Sequence, residues 1–87
     1  MDVFVVERFL VGWSATEVDA LIGRLEEAAP KLAELGVSHV ESIYIPDDET
    51  CLSLFVGPNA DAVRSANEEC DLPTGRTLGA ITHASRT

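Results

Sequence analysis

The chain has 87 residues, 46% of them hydrophobic, and carries fifteen acidic against six basic residues for a formal charge of −9. That length makes one domain, residues 1–87, near the small end of what folds alone. A surface this acidic repels polyanions, which excludes nucleic acid and an anionic membrane as expected partners.

Val3 to Arg8 alternates as a short strand, and Glu7 and Arg8 interrupt its apolar run, so neither a signal-peptide core nor a membrane span is expected there. Both charges are read as the solvated end of that strand, because burying either one is costly unless it finds a partner. Ser14 and Glu17 form an S-x-x-E capping box, with Trp13 and Val18 at the positions of a hydrophobic staple. From Val18 to Leu32 apolar residues recur at spacings of three and four, while Asp19, Arg24, Glu27 and Lys31 take the opposite face. Pro30 predicts a kink or break in this helix, and Gly36 is the natural residue just past its end.

Two β-like runs follow, Val37 to Ile45 and Cys51 to Val56, joined by the acidic turn Pro46 to Thr50. Strict alternation groups His39, Glu41, Ile43 and Ile45 on one side of the first run and Val40, Ser42 and Tyr44 on the other. In the second run Leu52, Leu54 and Val56 alternate with Cys51, Ser53 and Phe55. The periodicity leaves open which sides join, since one residue of slip reverses every side chain. A second helix, Asn59 to Cys70, carries the stripe Ala62, Val63, Ala66 and Cys70, and Thr77 to Thr82 makes a last short strand. The order is β-α-β-β-α-β, which predicts an α+β, ferredoxin-like βαββαβ sandwich: an antiparallel four-stranded sheet with two helices on one face. The sheet's other face is then left open, so a homodimer through that open sheet face is expected.

Several runs also resemble a known family. They are Val6 to Leu10, Ser42 to Cys51, Gly57 to Arg64, and Leu72-Pro73 followed by Arg76. Taken in order, they resemble a family of small bacterial proteins that carry a domain of unknown function and are often described as nickel-binding. The resemblance covers about Val3 to Ile81, and Pro46 to Cys51 is its best motif. It implies a ferredoxin-like α+β sandwich assembled as a dimer, with nickel(II) as the metal. Many relatives carry a histidine in the second helix shortly after the arginine that matches Arg64; this chain has Ser65 and Ala66 there.

Nickel(II) or another borderline divalent transition metal takes imidazole nitrogen and carboxylate oxygen. The chain has two histidines, His39 and His83. His39 and Glu41, two apart on a strand, are expected to project to one face and to be the first ligand candidates, with Glu7 and His83 behind them. The acidic run Asp47 to Glu49 lacks the spacing of a calcium loop and reads as a solvated hairpin tip. The two cysteines, Cys51 and Cys70, make neither a disulfide framework nor a zinc-ligand spacing, so reduced thiols in a cytoplasmic protein are expected, with Cys51 buried and inert. These readings favour a non-enzymatic dimeric binding protein. The alternative is an enzyme or small-molecule binder with a cavity on the open sheet face, lined by Phe55 and Tyr44.

Overall fold

The computed structural model describes residues 2–83. Its elements are β1 (Asp2–Phe9), α1 (Ala15–Glu34), β2 (Ser38–Ile45), a single turn of 3-10 helix (Pro46–Asp48), β3 (Thr50–Gly57), α2 (Ala60–Glu69) and β4 (Thr77–Ala80). At the start of α1 the capping box is closed in both directions. Ser14 Oγ accepts from the Glu17 N–H and Glu17 Oε1 accepts from the Ser14 N–H, each at 3.1 Å. The helix continues through Pro30 without a break. Glu26 and Pro30 are both exposed, so the carbonyl that Pro30 cannot bond is free to meet water. Gly36, at φ 78°, supplies the left-handed residue after the helix, and the Val37 N–H returns to Leu32 O at 2.9 Å. Asn59 caps α2, its Oδ1 accepting from the Ala62 N–H at 2.8 Å.

The strands lie in the order β2-β3-β1-β4, and every neighbouring pair is antiparallel. Each strand-helix-strand unit skips one place in the sheet. The unit β1-α1-β2 leaves room for β3, and β3-α2-β4 leaves room for β1, so the two units interlock as a ferredoxin-like α+β sandwich. Both helices pack on one side: α1 against β2, and α2 over β3, β4 and β1.

Register settles the faces. Phe4, Val6 and Arg8 of β1 and Cys51, Ser53 and Phe55 of β3 are buried beneath the helices. They meet Val18, Leu21, Leu25 and Leu32 of α1 and Val63 and Ala66 of α2. Each large apolar side chain so buried contributes on the order of 1.5–3 kcal/mol. Val3, Val5, Glu7, Leu52, Leu54 and Val56 occupy the open side. Phe55 and Tyr44 are therefore not on the open face, contrary to expectation. Phe55 is fully buried under the helices, and Tyr44 pairs with buried Cys51 and packs against the core.

Two further expectations are corrected. First, β1 runs on to Phe9, so Glu7 and Arg8 are not a solvated end. Arg8 is 1% exposed among core residues, and Glu7 lies on the open face. Second, β2 does not alternate strictly. His39 pairs with Phe55 and Glu41 with Leu54, so Val40 is an extra residue, a β-bulge. The bulge sends His39 to the helix side with Ser42 and Tyr44, and leaves Glu41, Ile43 and Ile45 on the open side.

Candidate functional site

The polar groups of this chain that converge do so beneath the helices. Arg8 enters from the middle of the sheet, and its guanidinium has three partners on three different segments. Nε donates to Ser53 Oγ on β3 at 3.2 Å, one Nη donates to Asn67 Oδ1 on α2 at 2.7 Å, and the other donates to the carbonyl oxygen of Pro73. Asn67 is held in turn, its Nδ2 donating to Val63 O at 2.8 Å one helical turn back. The guanidinium carbon also stands 5.8 Å from the centre of the Phe55 ring. Among the described residues no carboxylate pairs with Arg8. Burial pushes its pKa down to about 10; Cys51 opposes the lowering and nearby Arg24 adds to it. At neutral pH Arg8 is therefore a buried cation held entirely by neutral oxygens.

From Ser53 the hydrogen bonds continue toward the sheet edge. Ser53 Oγ is 2.7 Å from Ser42 Oγ, and Ser42 Oγ is 2.9 Å from His39 Nε2. The His39 ring, half-buried at the outer strand, lies 5.2 Å from that of Phe55. Burial is the chief reason its pKa falls below the ordinary imidazole value. The Arg8 charge adds to the lowering, while the Glu41 backbone and Glu26 partly oppose it. The bulge at Val40 is what makes this contact, since strict alternation would set His39 and Ser42 on opposite faces. Ser42 and His39 lie at the separation of a nucleophile and its base. Two surface cavities lie elsewhere, and neither has them in its lining. One of about 560 Å³ lies along β1 and β4, beside Asp2, Phe4 and Gly79 to Thr82; another of about 320 Å³ lies by Arg24, Lys31 and Cys70.

The expected metal ligands are dispersed. His39 is bonded to Ser42 under the helices, whereas Glu41 is exposed on the other face, so the pair does not share a side. Glu7 lies on the open face with its side chain 17% exposed, and its Oε1 accepts from Arg76 Nε at 2.6 Å. That bond raises the Arg76 pKa. His83 is exposed beyond β4. Among the described residues no three His, Cys, Asp or Glu side chains stand close enough to hold one ion. The acidic turn is also less free than expected. Glu49, in the left-handed region at φ 50°, accepts the Gly12 N–H on Oε2 at 2.6 Å and ties the turn to the loop after β1.

Ser42, Ser53 and Asn67 were not singled out from the sequence, although each left a trace. Asn67 falls on the apolar stripe of α2 beside Val63, Ala66 and Cys70, and Ser53 alternates with Cys51 and Phe55. A polar residue within an apolar period marks either a bonded buried group or a break in the pattern.

No family model and no curated protein matches this chain. Among solved structures, that of SCO4226 from Streptomyces coelicolor A3(2) superposes with a TM-score of 0.73 over 94% of this chain and 99% of its own, at 17% identity. At that identity the likeness is one of fold. Among the described residues no helix is long and apolar enough to cross a membrane.

Proposed function

We propose that this chain is a non-catalytic binding module that works as a homodimer closed over the open sheet face. One observation carries the reading. That face presents Val3, Val5, Leu52, Leu54, Val56, Ile43, Ile45 and Leu78, with Glu41 and the Glu7–Arg76 ion pair as the charges described among them, while the helices cover the opposite face except at its β2 edge, where His39, Ser42 and Tyr44 are half-buried. Apolar patches of more than a few hundred Å² are uncommon on monomers. Three strands of eight residues and one of four make a face of about 450 Å² in projection for each copy. Doubled, this is about 900 Å², the size of a small interface, below the roughly 1,200 Å² at which the standard class of stable interfaces begins. A second copy brings a matching apolar surface, as a two-fold interface requires.

Sedimentation velocity tests it. A dimer at micromolar protein is expected, and Leu54→Lys, at the centre of the face, should give a monomer with unchanged far-UV circular dichroism. A wild-type monomer throughout that range would end the proposal.

Divalent metal binding, with nickel first, is a second reading, supported by the family resemblance of the sequence. Isothermal titration with nickel tests it. Heat at micromolar protein supports it, and its absence removes it.

A further inference from the structure

We infer, building on the proposed dimer, that its two-fold axis runs along the strands and sets the exposed Glu41 of each copy against the partner's Arg76, an ion pair exchanged at both edges of the interface. Strand pairing divides the open face into rows. Glu41, Leu54, Val5 and Leu78 lie side by side across β2, β3, β1 and β4. Ile43, Leu52 and Glu7 make the next row, and the Glu7 N–H, 2.8 Å from Arg76 O, sets Arg76 at its β4 end. The face thus carries a lone carboxylate at its β2 edge and a guanidinium, held by Glu7, at its β4 edge.

Neither edge group is saturated. Glu41 is exposed, and among the described residues no cation stands within ion-pair distance of it. Arg76 gives its Nε–H to Glu7 Oε1 at 2.6 Å, and among the described residues no bond from its Nη groups accompanies that one. An arginine presents five N–H donors in a planar fork, so this one can keep Glu7 and still take a second carboxylate.

Aligned packing of two such faces leaves two directions for the axis. An axis across the strands lays each strand over its own copy, which brings carboxylate edge toward carboxylate edge and guanidinium toward guanidinium. An axis along the strands, between β3 and β1, lays β2 over the partner's β4. Each row then covers its own copy in reverse, with Leu54 over the partner's Val5 and Glu41 over the partner's Leu78. The partner's Arg76 is two residues from there, about 7 Å along the strand, and the sheets stand about 10 Å apart. Glutamate and arginine side chains, reaching from opposite sides, span that separation. In an interface of only about 900 Å², opposite charges at the edges select this orientation and disfavour the other.

Charge exchange tests it. Glu41→Lys and Arg76→Glu, made separately, each oppose like charges at both edges of a homodimer, and each should weaken self-association in sedimentation velocity by about tenfold or more. Far-UV circular dichroism should stay unchanged, since the altered groups are exposed in a single chain. When the two variants are mixed, native mass spectrometry should show the heterodimer well above its statistical half. There the introduced lysine faces the introduced glutamate at one edge, and the native pair survives at the other. A wild-type dimer whose variants show no such preference overturns the orientation and leaves the dimer itself standing. So does a heterodimer of Glu41→Lys with the wild-type chain that is tighter than the wild-type dimer, the mark of carboxylate facing carboxylate. A wild-type monomer removes both.

Discussion

Between sheet and helices a guanidinium, a serine and an asparagine lie buried among Phe4, Val6, Leu25 and Phe55; on the sheet's other side Val3, Val5, Leu52, Leu54 and Val56 stand without a helix over them, around Glu7. The more polar face is thus the one that excludes water. It can be, because the Arg8 cluster is satisfied within the fold, by partners from β2, β3, α2 and the chain after α2, although Thr77 Oγ1 on the same side is buried without a partner among the described residues. The open face has fewer polar atoms to satisfy, and what it lacks is cover. Polarity alone therefore does not tell which face of a sheet is inside; whether its charged groups find partners tells more.

The strongest way to break the comparison is to remove the cation. Arg8→Ala leaves Ser53, Asn67 and the Pro73 carbonyl without their donor, and should cost about 3–5 kcal/mol in urea unfolding. Replacing both sides of one contact, as in Arg8→Met with Asn67→Leu, should recover part of that loss. A full loss in the double variant would show that volume, not bonding, decides stability there.

A smaller effect is expected at Gly75, where the chain turns in to place β4. A Cβ at that position would lie 2.1 Å from the Glu7 carbonyl oxygen. Gly75→Ala should therefore cost about 1–3 kcal/mol, a typical penalty for overpacking, and loosen β4, which amide exchange at Thr77 to Ala80 would report.

Acidification gives a smaller change again. The folded His39 pKa lies below the ordinary 6.5, so the unfolded chain binds the proton more tightly. The stability this contributes is fully present above 6.5 and is lost as pH falls from there through the folded value. Urea midpoints measured on either side of that range should differ more for the wild type than for His39→Gln. The smallest effect belongs to the open face's own ion pair. Arg76 is exposed, so Arg76→Ala should change stability little, and less still in high salt.

Much of the fold was legible in the sequence because its signals are local. The capping box of Ser14 and Glu17, the stripe from Val18 to Leu32, Gly36 and the Asn59 cap each act within a turn or two of chain, and each stands where it was expected. The candidate site was less so. Arg8 was read as solvated because an unpaired charge avoids burial, and its partners lie 45, 59 and 65 residues further along the chain. No pattern around Glu7 and Arg8 could announce them.

The sequence by itself determined which segments become helix or strand and in what order, because helical and strand periods are properties of neighbouring residues and survive any arrangement in space. Only the tertiary structure decided the faces. A strand's sides differ by a single step, and the choice between them was made by what β1, β3 and the helices could bury together. The extra residue at Val40 shows it most plainly, since by one bulge His39 was parted from Glu41 and brought to Ser42.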